Sequence, residues 1–402
     1  MGTDREPDAK HRASRHTRAK HAHTVINKTI PAILRSNARA RRGVDAVELI
    51  ADPPPAPTTS EQIPPNKEAT VTAIPGTSPE YSTTTTSADN VVTSLQEKDD
   101  ETVSPSLPKP QPEPPSSDSP KKVASGQPSI SIVIGDTLQV AAQLHAAHNT
   151  STTTMPAHHH HHHHHSQPRP RGRIAILNMA SPLRPGGGVL SGATSQEESL
   201  CRRTTLYPSL REEFYRLPEV GGIYTPDVLV FQLNDDDDDD SLEGKIDKKA
   251  DWFFVDVLTA AMLRFPDVDV TEEEKSLEGG EKKRFTRRRY AAEADREMVV
   301  RKMTAAMRIF KTKGIGRVVL GAWGCGAYGN PVEEVASAWR KVLLGAEVDK
   351  RRGKEKKRRI ENDWGGIEEV AFAIRDVKMA DAFGRAFGPG IQVTSTVAVE
   401  GE

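Results

Sequence analysis

The chain is short of what many scaffolds and chemistries need. Its 402 residues include only 2 cysteines, which excludes a disulfide framework and a cysteine-built zinc or iron-sulfur site and suits a reducing compartment. No run of 18 apolar residues occurs, so no segment reads as a membrane-spanning helix and no membrane partner is expected. The first residues lack an apolar signal core and carry Asp4, Glu6 and Asp8, so an intracellular location, nuclear or cytoplasmic, is expected. Charge of one sign is missing too. With 55 Lys and Arg against 56 Asp and Glu, nothing in the whole-chain charge argues for a polyanion, no direct nucleic-acid binding is expected, and the chain reads as a monomer. Histidine is absent from most of the chain: all 14 precede Gln167. A Ser-His-Asp or Cys-His engine, or a histidine-ligated metal, is therefore excluded beyond that point. Only 36% of residues are hydrophobic and 5% aromatic, which predicts one core plus disordered tracts rather than several domains.

The tracts are easy to see. More than half of the 29 prolines fall in residues 51–128 among Ser, Thr and Glu, the composition of a disordered insertion. The eight histidines 158–165 close a second polar tract, 149–170, and read as a solvated loop rather than a metal site. Charged stretches at 234–249 (with the six aspartates 235–240), 272–289 and 349–360 read as solvated loops, the two basic ones doubling as candidate import signals. Outside them, residues 17–37 read as a basic helix interrupted at Pro31, 44–50 as a short strand, and 130–134 as a strand leading to a helix capped by Asp136 or Thr137. Beyond residue 173, apolar strands at 174–177, 228–231, 318–321 and 370–374 alternate with helices at 196–204, 251–265, 291–311, 332–344 and 380–387. That alternation predicts a three-layer α/β domain over 129–402, with residues 1–50 as a helical extension packed on it.

Two segments join a buried strand to a glycine-rich turn and a helix. In the first, a strand ending near Asn178 runs to Gly186, Gly187 and Gly188 and then to Gln196, Glu197 and Glu198. Consecutive glycines let backbone approach a ligand and offer N–H groups to an anion. A flexible turn explains the glycines but not the adjacent acid pair. The second segment, 318–330, contains Gly324, Gly326 and Gly329 in G-x-G-x-x-G spacing, but lacks the acidic residue closing the next strand that a dinucleotide fold needs, and no G-K-[ST] follows either loop. Cys201 and Cys325, without histidine partners, read as packing residues.

The glycine triplet, seven residues and Gln196-Glu197-Glu198 resemble the G-G-G-x(6–8)-Q-E-E signature of poly(ADP-ribose) glycohydrolases, specifically the microbial-type branch. Asn178, Cys201 and the 321–330 segment fit the same branch, while tracts 51–128, 149–167 and 235–240 have no expected counterpart in it. The resemblance implies an α/β/α macrodomain with a mixed sheet, needing neither metal nor cofactor, whose partners are poly(ADP-ribose) and ADP-ribosylated proteins. It also implies roles. The backbone of Gly186, Gly187 and Gly188 and of Gly324, Cys325, Gly326 and Ala327 would hold the diphosphate from two sides. Asn178 and Glu197 would orient the scissile ribose, Gln196 would join the binding set, and Tyr328 would pack against the ribose. Glu198 would be the catalytic acid, protonating the departing ribose hydroxyl and then activating water through an oxocarbenium-like state.

Other classes remain open at this stage: a macrodomain that only reads ADP-ribose, a mono(ADP-ribosyl) hydrolase, and, more remotely, a dinucleotide-dependent oxidoreductase. The intact Gln-Glu-Glu triplet argues against a pure reader, since binding alone does not require it.

Overall fold

The computed structural model describes residues 6–54, 127–153, 172–234, 246–276, 282–345, 363–389 and 391–396. The chain divides into two units, one of Met1–Ala56 with Val123–Glu402 and one of Pro57–Lys122; the second lies wholly outside the described residues. So do the histidine run, the aspartate run and the basic run 350–359.

In chain order the elements are α1 (Glu6–Thr24), a π-turn (Val25–Thr29), α2 (Ile30–Ser36), α3 (Ala38–Asp45), β1 (Glu48–Ala51), β2 (Ser129–Ile134), α4 (Thr137–Thr153), β3 (Ile174–Met179), α5 (Gln196–Arg203), β4 (Gly221–Val230), β5 (Phe253–Ala260), β6 (Val268–Ser276), β7 (Lys282–Tyr290), α6 (Glu293–Thr312), β8 (Arg317–Leu320), α7 (Val332–Leu344), β9 (Glu369–Ile374), α8 (Val377–Phe387) and β10 (Gln392–Ser395). Eight strands form one mixed sheet in the order β1-β4-β5-β3-β8-β9-β2-β10. From β5 to β10 all neighbours run parallel, while β4 pairs antiparallel with both β5 and β1.

Alternate strand residues feed two cores. Leu177, Leu258, Leu320 and Phe372 pack with Met303 and Phe310 of α6, Trp339 of α7 and Phe383 of α8. Ile176, Val257, Val319 and Ala371 pack the other way, with Leu138 and Ala141 of α4 and Leu200 of α5. The result is the expected three-layer α/β arrangement. A third cluster joins Val25, Ile30, Ile33 and Ala40 of the N-terminal helices to Leu229 and Phe231 at β4.

Several expectations are corrected. Residues 251–265 contain β5, not a helix: Phe253–Ala260 is buried on both faces, so its apolar run carries no visible period of two and imitates a core helix. The charged stretch 272–289 is not a loop but most of an antiparallel hairpin, β6–β7, whose register sets Asp269 opposite Arg289 and Glu274 opposite Arg284. Opposite charges facing across a ladder favour such pairing, and Tyr290 at its root is buried in the core. Val44 and Asp45 end α3, and the strand starts only at Glu48. At Pro31 the helical path restarts: α2 begins at Ile30. The missing N–H falls in the first turn of α2, directly after the wider π-turn.

Candidate active site

The helix that carries the acid pair is fixed at both ends. At its C-terminal end Arg203 donates to both oxygens of Asp136, at 3.0 and 2.9 Å, and Arg375 reaches the same carboxylate at 2.6 Å. Burial alone would raise the Asp136 carboxyl, but Arg203, then Arg375 and the Leu138 N–H, hold it below its ordinary value. At the N-terminal end Gln196 acts as a splint. Its Oε1 accepts from Met179 N at 2.8 Å and its Nε2 donates to Leu177 O at 2.9 Å, so one side chain grips the backbone on both sides of Asn178.

Glu197 and Glu198 follow in the first turn, 2% and 5% exposed, where the helix dipole favours acids. Each spends one oxygen on loop backbone. Glu197 Oε2 accepts from Ser181 N at 2.8 Å, and Glu198 Oε1 accepts from Gly188 N at 2.7 Å. Glu197 Oε1 and Glu198 Oε2 are buried without a partner. The Glu197 carboxyl is pushed up to about 8, chiefly by burial, with the Glu198 charge adding to it and the Ser181 and Gly186 N–H groups and Asn178 opposing it. It therefore keeps its proton at neutral pH.

The glycine triplet exists to let these carboxyls in. A Cβ at Gly187 would stand 2.6 Å from Glu198 Oε1 and 2.7 Å from Glu197 Oε2, and φ there is +57°. A Cβ at Gly186 would meet the Tyr207 ring at 2.8 Å, and one at Gly188 the Ala193 methyl at 2.9 Å. The triplet's own N–H groups are already engaged: Gly186 toward Glu197, Gly187 with Arg184 O at 3.1 Å, Gly188 with Glu198. As placed here they cradle the acids.

These groups floor a cleft of about 670 Å³ at the C-terminal ends of the parallel strands, the usual position for ligands on such sheets. Of the residues singled out from sequence, Gly187, Gly188, Gln196, Glu197 and Glu198 line one side, and Gly324, Gly326, Ala327 and Tyr328 the other. Gly186, Cys325 and Asn178 stand behind the lining. Asn178 is fully buried, donates to Thr259 Oγ1 at 3.1 Å and leaves its Oδ1 without a partner. Burial pushes the Cys325 thiol up to about 12 and that of Cys201 well above its ordinary value, as befits packing residues rather than nucleophiles.

The second loop is built differently. Asn330 holds its shape, donating through Nδ2 to Gly324 O and Leu263 O at 3.0 and 2.8 Å while accepting from the Tyr290 hydroxyl at 2.8 Å. Beyond Gly326 and Gly329 lies open space. Among the described residues, the N–H groups of Gly326, Ala327 and Tyr328 make no hydrogen bond.

Arg184, Arg264 and Phe265 also line the cleft and were not anticipated. Phe265 is 64% exposed with φ +53°, its N–H donates to Tyr328 O at 3.1 Å, and the Arg264 guanidinium lies 5.1 Å from its ring centroid. The false helix over 251–265 hid both residues. An exposed aromatic in a strained conformation becomes legible only once the backbone is known.

Fold and site together define a class: a mixed-sheet α/β domain with a buried carboxyl pair beneath a glycine triplet, facing an open backbone loop. The particular likeness follows from comparison. Residues 80–233 match the family model of the microbial-type PARG catalytic domain, a range that includes the first loop and the acid pair. The matched range begins inside tract 51–128 and ends before the second loop. No curated protein sequence matches the chain. Among solved structures, it is similar to a poly(ADP-ribose) glycohydrolase from Thermomonospora curvata (25% identity, 66% of this chain and 80% of that one, TM-score 0.43). It is also similar to one from Deinococcus radiodurans in complex with ADP-ribose (21% identity, 65% and 85%, TM-score 0.40).

Proposed function

We propose that the cleft takes the terminal unit of poly(ADP-ribose) and that the chain hydrolyses the ribose-ribose O-glycosidic bond, releasing ADP-ribose. The observation that carries this reading is the acid pair: two adjacent buried carboxyls, each with one oxygen fixed by backbone N–H and the other unpartnered.

In this reading Glu198 is the general acid and base. It protonates the departing ribose oxygen, then takes a proton from the attacking water. Glu197, protonated at neutral pH, offers a neutral O–H to a ribose hydroxyl, with Asn178 behind it. The diphosphate falls to the second loop. The N–H groups of Gly326, Ala327 and Tyr328 supply its donors, with Arg264 and Arg184 the nearby cations. Held there, the phosphates stabilise positive charge developing on the ribose.

The test is incubation of the full chain with purified poly(ADP-ribose) and chromatographic detection of ADP-ribose. Absence of ADP-ribose, with tight binding of ADP-ribose retained, would make the chain a reader. Release from mono-ADP-ribosylated protein alone would make it a mono(ADP-ribosyl) hydrolase.

A further inference from the structure

The β6–β7 hairpin is not used by the reading above, yet it is anchored to the loop that forms one side of the same cleft. Its root is tied to the second loop: Phe265 N donates to Tyr328 O at 3.1 Å, Tyr290 hydroxyl to Asn330 Oδ1 at 2.8 Å, and Arg288 Nη2 reaches Gly329 O at 3.4 Å. The two strands carry seven Lys and Arg against four Asp and Glu, and the signs are segregated. All four acids lie on β6, and six of the seven bases lie on β7. Arg287, Arg288 and Arg289 are consecutive and exposed, and Arg264 lines the cleft.

A basic strand beside a cleft that accepts a phosphate-rich end matches the chemistry of a chain with two phosphates per repeating unit. A cleft of about 670 Å³ holds about one such unit; the remaining units must leave past its rim. We propose that Arg287, Arg288 and Arg289 dock the phosphates of polymer units beyond the one in the cleft, so that the hairpin sets a preference for long chains over single ADP-ribose groups. This rests on the poly(ADP-ribose) reading and adds to it a partner surface.

The experiment compares wild type, R287Q/R288Q/R289Q and the all-lysine counterpart R287K/R288K/R289K, on long polymer and on free ADP-ribose. The glutamine variant is expected to raise KM for long polymer about tenfold and to lower the slope of log affinity against log salt by about 2, from about 0.7 per lost single-strand phosphate contact. Its kcat and its affinity for free ADP-ribose should stay within about threefold of wild type. The lysine variant should stay near wild type throughout. A second variant, R287Q/R289Q, leaves the Arg288 contact to the loop intact and should show the same polymer-selective effect in smaller degree. An unchanged KM for long polymer in the glutamine variants overturns the proposal. So does a parallel loss of free ADP-ribose affinity in R287Q/R289Q, which would make these arginines supports of the loop. Single-stranded DNA competing as well as polymer at equal phosphate concentration also overturns it, in favour of an unselective basic patch. If wild type itself neither binds nor cleaves polymer, the functional reading falls with it; if wild type cleaves and the variants match it, the hairpin alone is misassigned.

Discussion

The two glycine loops look alike in sequence and do opposite things. At 186–188 the glycines are demanded by crowding: every added Cβ would strike a side chain, and each N–H already has a use within the fold. At 326 and 329 nothing stands within 4 Å, and although the Gly329 N–H closes a turn onto Gly326 O, those of Gly326, Ala327 and Tyr328 have no use within the described fold. A glycine can thus be required by what is already present or by what has yet to arrive. The first loop organises acids and the second leaves room for a ligand.

The strongest test of that division is Glu198→Gln. It should lower kcat by roughly two to four orders of magnitude, the scale of general acid-base catalysis, while calorimetry shows ADP-ribose affinity within about threefold. Equal turnover by the variant would move the catalytic proton elsewhere. Next in size, Gly187→Ala drives a methyl against both carboxyls at a positive φ. A displacement of reacting groups on the order of 1 Å costs about a hundredfold in rate, and a lowered Tm should accompany it. Retained activity would mean that the acids need not sit beneath the triplet.

A smaller effect concerns pH. The Glu197 carboxyl binds its proton near pH 8 in the folded chain against an ordinary value of 4.5. Folding therefore favours the protonated form. This group's contribution to stability is best below about pH 4.5, declines as pH rises, and levels off above about 8. Glu197→Gln should remove the decline, so the Tm of the variant minus that of wild type grows between pH 5 and pH 8.5. Gly326→Ala should do least: stability within about 0.5 kcal/mol of wild type, and ADP-ribose affinity lowered no more than about tenfold. A Gly326→Ala variant as damaged as Gly187→Ala would erase the distinction between the loops.

Much of this was legible in the sequence, for reasons that can be named. The strands at 174–177, 318–321 and 370–374 are short apolar runs followed by clear turns, and the acid pair stands out because a flexible turn explains the glycines before it but not the acids. What was not legible depended on partners distant in sequence. The strand Phe253–Ala260 lacks visible alternation because both its faces are covered, and its misreading carried Arg264 and Phe265 out of view. The hairpin was hidden because its two strands are dense in charge, which a linear reading takes for a solvated run. Likewise, the occupancy of the Gly188 N–H follows from a side chain 10 residues away, that of Glu198, folding back onto it.

The splint formed by Gln196 has a consequence for how the acids hold their aim. Because its amide reproduces, on the open side of β3, the donor and acceptor of one more peptide unit, the first turn of α5 is joined to the sheet as though it were another rung of the ladder. Thermal motion that would swing a free helix end must then distort a strand buried between two neighbours, which is the stiffest material the protein has. The carboxyls of Glu197 and Glu198 inherit that stiffness through the uncharged side chain that precedes them.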